Sequence, residues 1–447
     1  MTNNGNPAPP GPKGLPILGL ALDVRNDALG TLQRLARQYG DIVSMPVLGM
    51  NRILLNRPEY VQQLLILDQA KLQKSTLTKL VVGPLLGQGL LISEGDFWRR
   101  QRRLAQPAFH RSRTNEYSPV MVECALERMK NWRGGETRNI AEEMMKLTLE
   151  VAVRTLFGTS LAGDSDAIGR AMTFLMRYYL RRGRSPWRIP SNWPTPANRR
   201  ARREVEYMDS LIYGIISDRK MDTQPRNDLL SLLMAALHED GSQMTERQVR
   251  DESMTLFVAG HETTALSLAW TWYLLGENPA AEGRLHEELG SLLGGRPAEV
   301  SDLDKLPYLN AVVHESLRLY PPAFVMARMN VETVSVGGYE IPPRSTLLAS
   351  QWVMHRDARF FEQPEKFLPE RWLDGLEQRL PPGAYFPFGD GPRRCIGQGF
   401  AQLETSLVIA AIAQKFSFRL KPGFPVVTEP LVTLRPKYGI EMTIQEL

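Results

Sequence analysis

Cys395 lies in the segment FGDGPRRCIGQGFA, residues 388–401, among four glycines and directly after Arg393 and Arg394. The arginines and the beginning of the apolar helix that follows bring positive charge to the thiol, which favours the thiolate that binds iron or acts as a nucleophile. The glycines allow the backbone to approach a ligand closely. These residue types therefore favour a metal thiolate, and a buried structural thiol is the ordinary alternative.

Two nucleotide-binding patterns fail at this segment. A dinucleotide fingerprint on Gly389 and Gly391 needs a third glycine at position 394, where the chain has Arg394. A phosphate-binding loop needs lysine after its last glycine, whereas Gln398 follows Gly397. A cysteine nucleophile with a histidine base stays open, because any of the six histidines could be that base.

Four His-Glu pairs suggest a check for zinc-dependent hydrolysis. An HExxH motif needs a second histidine four residues after the first, so that both side chains reach one metal ion. The residues at those positions after His238, His261, His286 and His314 are Ser242, Ala265, Gly290 and Arg318. A zinc hydrolase of this type is excluded.

An apolar segment, DESMTLFVAGHETTALSLAWTWYLL at 251–275, is interrupted in its middle by polar residues. Gly260 and the threonines that follow disfavour a regular helix, and threonine hydroxyls bond to backbone carbonyls, so we expect a local bulge. Ala259 and Thr263 share one helix face, which places a small residue beside a hydroxyl. A polar kink in a core helix is the alternative interpretation.

Glu315 and Arg318 stand three residues apart in HESLRLYPP, residues 314–322. On a predicted helix this spacing brings their side chains together. Taken alone, the pair resembles a solvated surface ion pair, which contributes little to stability.

Mostly helices must position these residues. Apolar periodicity and breaker residues predict helices near 28–39, 116–132, 138–156, 166–182, 199–219, 246–275, 279–293, 308–319 and 399–414. Short strands are predicted at 41–56 (a hairpin), near 334–342, near 346–350 and at 431–445. The proline-rich segment 183–198 is predicted to be a loop, either a binding surface or a spacer.

The composition is that of a globular protein large enough to bury a sizeable core, with 43% hydrophobic and 23% charged residues in 447. The longest apolar run, 407–413, is far shorter than the roughly 18–20 residues of a membrane-spanning helix. The beginning MTNNGNPAPPGPKG lacks the basic and apolar parts of a secretory signal. Two cysteines are too few for a disulfide scaffold and suit a reducing compartment. We therefore expect a cytoplasmic protein without a membrane anchor.

The net charge of +5 comes with basic clusters at 98–103, 181–188 and 198–203. Such clusters can meet nucleic acid, an acidic membrane or an acidic protein. For any single cluster, a solvated helix face is the favoured interpretation. No stacking-aromatic or zinc-finger motif accompanies them, so nucleic acid is not an expected partner.

The cysteine segment resembles the F-x-x-G-x-R-x-C-x-G motif of the cytochromes P450, continued as family members often are by Phe400, Ala401 and Glu404. The motif positions are occupied by Phe388, Gly391, Arg393, Cys395 and Gly397. The resemblance implies that Cys395 is the axial thiolate of a haem iron, that Arg393 holds a haem propionate and that Phe388 packs beside the thiolate. Ala259, Gly391 and Gly397 are expected to border the haem.

Three further segments resemble the same family. AGHETTA matches its acid-alcohol pair, which implies that the Thr263 hydroxyl stabilises bound dioxygen and that Glu262 helps to deliver protons. HESLR and FLPERW match a structural salt-bridge triad: Glu315, Arg318 and Arg371. WRRQR matches a W-x-x-x-R helix, so Trp98 and Arg102 are expected at the propionates, with Arg328 and His355 as further contacts.

The resemblance covers essentially the whole chain and implies the cytochrome P450 fold: a single domain, 1–447, mainly α with small β-sheets, in which a helix-rich lobe and a small β lobe surround the haem. The implied function is a haem-thiolate monooxygenase with haem b and O2, which hydroxylates or epoxidises an apolar small molecule. Other haem-thiolate chemistry (isomerase or peroxygenase), a non-catalytic haem sensor and a non-haem protein with a structural cysteine are the alternatives.

No fused reductase domain is recognisable, so electrons from NAD(P)H are expected through a separate ferredoxin or flavodoxin with its reductase. Basic residues such as Arg99, Arg100 and Arg103 would form the docking patch for this acidic partner, and we expect a monomer.

The expected substrate contacts are mostly apolar and suit a fatty acid, terpenoid, steroid or polyketide. They are Leu80, Val82, Leu85, Leu86, Leu256, Ala259, Ala323, Phe324, Val325, Leu431 and Val432, with the 183–198 segment. Arginines near that segment favour a carboxylate anchor and hence a fatty acid.

Overall fold

A computed structural model describes residues 8–159, 165–184, 190, 192–222, 224, 226, 228–237 and 241–447. The chain groups into two compact units. Unit 1 comprises Met1–Lys79 and His314–Cys395, and unit 2 comprises Leu80–Val313 and Ile396–Leu447. The expectation of a single domain stays a prediction.

The described residues are mainly helical, with short strands. The helices are α1 (Ala21–Asn26), α2 (Ala28–Tyr39), α3 (Pro58–Gln62), α4 (Thr76–Leu86), α5 (Gly95–Ala105), α6 (Arg111–Glu116), α7 (Ser118–Met129), α8 (Ile140–Phe157), α9 (Ser165–Arg184), α10 (Pro196–Met221), α11 (Leu229–Ala235), α12 (Glu246–Glu277), α13 (Pro279–Leu293), α14 (Pro307–Leu319), α15 (Gln351–Met354), α16 (Leu376–Arg379) and α17 (Gln398–Ala413). The strands are β1 (Ile42–Ser44), β2 (Arg52–Leu55), β3 (Leu72–Lys74), β4 (Thr137–Asn139), β5 (Met326–Asn330), β6 (Val334–Val336), β7 (Tyr339–Ile341), β8 (Thr346–Ala349), β9 (Phe416–Leu420), β10 (Thr428–Pro430), β11 (Leu434–Pro436) and β12 (Glu441–Glu446).

Unit 1 is built on a five-stranded sheet with the order β1-β2-β8-β5-β3. The first two strands form the predicted antiparallel hairpin, and β2 then pairs in parallel with β8, with Ile53 opposite Leu347. Both residues are buried, and they pack with Val61 and Phe386 in one apolar cluster. The apolar cluster beside this sheet therefore anchors Phe386, which lies just before the segment that carries Cys395.

Unit 2 is organised around α12, a helix of 32 residues that is buried on almost all sides and packs along α8. The sequence sets both ends of α12. Thr245 and Gln248 form a reciprocal capping box at the beginning. Asn278 precedes Pro279, which disfavours helical backbone at position 278 and so ends the helix there.

Two small sheets complete unit 2. One has three strands in the order β4-β12-β9, and the other is the β10-β11 hairpin. Trp270 of α12 donates a hydrogen bond from Nε1 to the Leu434 carbonyl at 2.9 Å, which fixes β11 against the central helix. Thr433 and Arg435 stand on either side of Leu434 and so flank this contact.

The long helices agree with the sequence analysis to within three residues at each end, and the predicted hairpin at 41–56 is present. The predicted strand segment near 334–342 is present as the antiparallel pair β6 and β7. The strands β3, β4, β5, β9 and β10 were not predicted. β3 and β4 have three residues each, and each owes its strand conformation to a partner distant in sequence. The 183–198 segment lies partly outside the described residues, and its ends belong to α9 and α10.

Among the residues that the structure describes, none of the helices combines the length and the apolar character that a bilayer span requires.

Candidate active site

The segment that carries Cys395 is a tight loop closed by backbone hydrogen bonds. The Cys395 N–H donates to the Phe388 carbonyl at 3.0 Å, and the Arg394 N–H donates to Gly391 at the same distance. A third bond, from Gly389 to Phe386 at 2.9 Å, ties the loop to the unit 1 core. The thiol is therefore presented by a fixed backbone and not by a flexible turn.

The glycines of this loop meet a conformational demand. Gly391 has φ +68°, and a Cβ atom there would lie 2.4 Å from the Leu65 carbonyl oxygen. Gly389 has φ +72°, and its Cβ would lie 2.7 Å from the Met326 methyl group. Both positions favour glycine because their φ angles would strain a side chain, and at Gly391 the Cβ would also meet the fixed backbone of Leu65. A Cβ at Gly397 would be in ordinary contact with the Phe109 ring at 3.7 Å, and Gly399, with nothing within 4 Å of its Cβ position, fits the simpler idea of open space.

The two cysteines differ in accessibility. Cys395 is exposed, whereas Cys124 in α7 is buried, and neither forms a disulfide. Burial raises the pKa of the Cys124 thiol to about 12. Only Cys395 can therefore reach an external ligand as a thiolate.

The middle of α12 has one open face. Ala259 is exposed and Thr263 is half-buried, although the residues on both sides of them along the helix are buried. Thr263 donates from Oγ1 to the Ala259 carbonyl at 2.6 Å, and Thr264 donates to Gly260 at 2.9 Å. The expected bulge does not interrupt the helix: α12 runs from Glu246 to Glu277, and each hydroxyl bonds to the carbonyl four residues before it.

Glu262 lies on a different face of α12 from Thr263 and is buried. Arg435 donates to its Oε1 from Nε at 2.9 Å and from Nη2 at 2.8 Å, and the Thr433 hydroxyl donates to the same oxygen. Burial alone raises the pKa of this carboxyl, but the Arg435 charge and the Thr433 hydrogen bond outweigh it and hold the pKa below its ordinary value. Glu262 is therefore an ionised group paired with β11.

The predicted triad comes together inside unit 1. Glu315 and Arg318 form a bidentate pair with both distances 2.8 Å, and Arg371 donates from Nε to Glu315 at 3.1 Å. The Glu315 and Arg318 side chains are 0% exposed. A solvated surface pair is thus the wrong interpretation of the i,i+3 spacing, because neither side chain reaches water.

Additional donors and acceptors complete this cluster. Glu315 also accepts hydrogen bonds from the Trp372 indole at 2.8 Å and the Leu368 N–H at 2.9 Å. Arg318 donates to three backbone carbonyls, those of His355, Pro364 and Lys366. The ion pair therefore joins α14 to the 355–372 region that precedes the cysteine loop.

These observations can be set beside known proteins. The family model "Cytochrome P450" matches residues 9–443 of the chain. The chain belongs to the cytochrome P450 family. Cyclooctatin synthase of Streptomyces melanosporofaciens is 38% identical over 95% of this P450 and 92% of the relative. Cyclooctat-9-en-7-ol 5-monooxygenase of the same organism is 34% identical over 92% of this P450 and 90% of the relative.

Among solved structures, retinoic acid bound cyanobacterial CYP120A1 has a TM-score of 0.88 and 26% identity, covering 99% of this P450 and all of that chain. The fold class predicted from the motifs is confirmed. As a P450 monooxygenase, the protein uses haem b with a cysteine thiolate, O2, and electrons from NAD(P)H through partner proteins. A non-haem protein with a structural cysteine is excluded.

The residues of the P450 fit a thiolate-bound haem. Cys395 is an exposed thiol on a closed loop, as described above. His355 is fully buried, and its Nε2 accepts a hydrogen bond from the Phe386 N–H at 3.0 Å, so the ring proton lies on Nδ1. The ring also interacts with the backbone of Arg318 and Leu317, so its contact with a haem propionate stays a prediction.

His355 is also neutral. Burial and then the charges of Arg318 and Arg356 hold its pKa well below the ordinary value. The other histidine of interest, His261, is fully buried in α12, with Nδ1 2.9 Å from the Phe257 carbonyl oxygen. Burial lowers its pKa as well. The sequence analysis left open a cysteine nucleophile activated by a histidine base. Neither His355 nor His261 supports that possibility.

The remaining predicted haem contacts have the following positions. Trp98 and Arg102 share one face of α5, where both are half-buried. Arg328 lies in β5, is buried, and donates from Nη1 to the Ala327 carbonyl at 3.0 Å. Arg393 is half-buried at the end of the short helical turn Gly391–Arg393. Their contacts with haem stay predictions.

The predicted substrate contacts divide into two groups. Five side chains are buried in the protein core: Val82, Leu85, Leu86, Leu256 and Phe324. The others retain exposed surface, namely Leu80, Ala259, Ala323, Val325, Leu431 and Val432. The second group is the better candidate for direct contact with a ligand.

The sequence analysis missed an acidic pair that holds the segment after α4. Asp251 accepts a hydrogen bond from the Gln88 N–H at 2.8 Å, and Glu252 accepts one from the Leu90 N–H at 3.0 Å. Burial raises the pKa of Glu252 to about 7, although the Leu90 hydrogen bond acts in the opposite direction. In the sequence, the signal for this contact was the pair of consecutive acidic residues, Asp251 and Glu252, at the beginning of an apolar segment.

Proposed function

We propose that this cytochrome P450 hydroxylates or epoxidises a cyclic terpenoid. The observation that supports the proposal is the likeness, over nearly the whole chain, to cyclooctatin synthase and to cyclooctat-9-en-7-ol 5-monooxygenase. The names of these relatives favour a terpenoid over the fatty acid suggested by the arginines near 183–198.

In this proposal Cys395 supplies the thiolate, and the haem propionates are held by Arg393, Trp98, Arg102, Arg328 and His355. A thiolate-bound haem supplies the activation of O2 and the transfer of one oxygen atom to the substrate. The closed loop keeps the sulfur in a fixed position, since its N–H is bound to Phe388. The Glu315–Arg318–Arg371 cluster acts through the fold and touches no reacting atom.

Thr263 is proposed to hold a proton at Oγ1 for the dioxygen chemistry. Its hydroxyl now donates to the Ala259 carbonyl, and a change of rotamer would redirect it to the open face that it shares with Ala259. Glu262 is ionised and paired with Arg435, so it takes part in proton delivery only when that pair opens. Six partly exposed apolar residues, listed above from Leu80 to Val432, are proposed to contact the terpenoid.

We further propose a ferredoxin or flavodoxin, with its reductase, as the electron donor. Arg99, Arg100 and Arg103 are exposed on α5 and present positive charge to an acidic protein, with Arg99 also paired with Asp96 in the same helix. The P450 is proposed to act as a monomer in the cytoplasm, where both thiols would stay reduced.

The ligand assignment is tested by the spectrum of the reduced protein with carbon monoxide. The wild type is expected to show the red-shifted Soret band of a thiolate-bound haem. Cys395→Ala is expected to lose that band, whereas the matched variant Cys124→Ala is expected to keep it. Retention of the band in Cys395→Ala would show that the ligand is misassigned.

The substrate class is tested by spectral titration. Cyclooctat-9-en-7-ol, a steroid and a long-chain fatty acid are added separately to the oxidised holoprotein, and the spin shift and dissociation constant are measured. The terpene alcohol is expected to bind most tightly and to give an oxygenated product with O2 and a reducing system. A shift with the fatty acid alone would refute the terpenoid proposal.

A further inference from the structure

A second binding site is suggested by an open groove in unit 2, with a volume of about 1460 Å3, lined by α8, α9, the beginning of α10 and the chain around β11. We call it the basic groove. Its cationic residues are Lys146, Arg170, Arg177, Arg181, Arg182, Arg200, Arg435 and Lys437. The lining includes residues 195–198 of the segment that the sequence analysis counted among the substrate contacts, and none of the other residues assigned to haem or terpenoid.

Positive charge is in excess in the basic groove. Its lining carboxylates are Glu142, Asp166 and Glu429. Asp166 is paired with Lys146 and Glu429 with Arg177, both at 2.9 Å. Arg170 and Arg181 are exposed on one face of α9, and neither forms an ion pair within the part of the chain described. The two guanidinium groups are thus available to an anion.

The floor of the groove is apolar. Leu149 and Leu266 are buried beneath it, and the rings of Phe174 and Tyr178 stack with centroids 5.9 Å apart. The Arg200 guanidinium lies 4.1 Å from the centre of the Phe174 ring. Arginines beside an aromatic and aliphatic floor suit a molecule with a charged end and an apolar body.

We propose that the basic groove binds an amphipathic anion, whose phosphate or carboxylate group pairs with Arg170 and Arg181 and whose apolar chain covers Phe174 and Leu266. Arginine forms bidentate hydrogen bonds with either anionic group. Because the lining contains none of the residues proposed to hold haem or to contact the terpenoid, such a ligand is an effector and not the oxidised substrate.

Arg435 connects this site to the central helix. It lines the groove, donates from Nη1 to Thr173 at 3.1 Å, and forms the buried ion pair with Glu262. An anion in the groove competes with Glu262 for the Arg435 charge. Coupling between two sites is reciprocal, so loss of the Glu262 charge strengthens anion binding. The effect of this coupling on proton delivery by Glu262 rests on the proposed function, whereas the binding of the anion does not.

The site is tested with dodecyl phosphate by isothermal titration calorimetry of the holoprotein, while the Soret band is recorded to report any binding beside the haem. The variant R170E/R181E is expected to bind about tenfold more weakly than the wild type. The matched control R199E/R203E makes the same charge change on α10 outside the groove, and it is expected to bind like the wild type. Inorganic phosphate and dodecanol are expected to bind far more weakly.

Equal affinities of the wild type and R170E/R181E would overturn the proposal, as would inorganic phosphate binding as tightly as dodecyl phosphate. Binding that only shifts the Soret band would place the ligand beside the haem and would also overturn it. No turnover is measured, so a failure of the terpenoid assay leaves this result intact.

The coupling has its own test. Glu262→Gln keeps the shape of the side chain and is expected to tighten dodecyl phosphate binding about fivefold. The gain is expected to disappear in E262Q/R435Q. Thr173→Val, which removes a competing acceptor for Arg435, gives a second measurement, with an expected gain of about twofold. Unchanged affinity in both E262Q and T173V would refute the link through Arg435.

Discussion

Glu252, buried in α12, accepts a hydrogen bond from the backbone N–H of Leu90 at 3.0 Å. The contact joins the central helix to the segment after α4. Sequence reasoning had placed possible substrate contacts on α4 but had assigned no role to this carboxylate. Its burial makes it an acid that changes charge near neutral pH, since its pKa is about 7.

The stability of the protein is therefore expected to depend on Glu252 as pH changes. The folded-state pKa is raised above the ordinary value of 4.5, so the native state binds the proton more tightly than the unfolded state. The stabilising contribution of Glu252 to the free energy of unfolding is complete below about pH 4.5 and is lost as pH rises through about 7. Glu252→Gln keeps an acceptor for Leu90 and is expected to be more stable than the wild type at pH 8 by about 1–3 kcal/mol. Urea unfolding between pH 5 and 8 measures the difference, and parallel pH profiles for the two proteins would contradict it.

The buried pair of Glu315 and Arg318 is expected to be essential for stability. Arg318→Ala leaves Glu315 charged and buried, which is expected to reduce the free energy of unfolding by about 3–5 kcal/mol. Arg113 and Glu116 form a matched i,i+3 pair on the surface, with side chains 37% and 52% exposed. Arg113→Ala is expected to cost about 1 kcal/mol or less in the same denaturation experiment. A similar decrease in the free energy of unfolding in both variants would mean that burial does not determine how much an ion pair stabilises the protein.

Thr263 is expected to control how efficiently electrons are converted into product. Thr263→Ala removes the hydroxyl on the open face of α12 and is expected to lower the product formed per NAD(P)H consumed by about tenfold or more. Thr263→Ser restores a hydroxyl and is expected to recover most of the yield. The neighbouring variant Thr264→Ala is the control, because that hydroxyl also bonds within the helix, to Gly260. Equal product yields in Thr263→Ala and the wild type would remove Thr263 from proton delivery.

Gly391 is expected to tolerate no side chain. Gly391→Ala meets both a left-handed backbone angle and the Leu65 carbonyl oxygen, and it is expected to destabilise the cysteine loop and lower haem retention. Gly399 lies just beyond the loop with nothing near its Cβ position, so Gly399→Ala is the control. The haem-to-protein ratio after purification measures the effect. Full haem content in Gly391→Ala would show that the loop can rearrange.

Docking of the redox partner is expected to depend on charge. Reversal of Arg99, Arg100 and Arg103 to glutamate is expected to slow electron transfer from an acidic ferredoxin or flavodoxin by about tenfold at low salt. Reversal of three exposed arginines on α10, Arg199, Arg202 and Arg203, leaves α5 unchanged and serves as the control. Raising the salt concentration is expected to remove the difference. A rate that is insensitive both to salt and to the α5 charges would refute this docking surface.

The sequence by itself determined the family, the long helices and the identity of the candidate ligand. Motif residues such as Cys395, and apolar periodicity such as that of α12, are local properties of the chain that can be recognised before it folds. The i,i+3 spacing of Glu315 and Arg318 was equally visible.

Only the tertiary structure decided what surrounds these residues. It buried Glu315 and Arg318, paired Glu262 with Arg435 across 173 positions, and placed Glu252 at the Leu90 N–H across 162 positions. The pKa of a carboxyl depends on its desolvation and on the charges near it, and both come from residues distant in the sequence. For the same reason three-residue strands such as β3 and β4 were not predictable, because their hydrogen-bond partners are supplied by the folded chain.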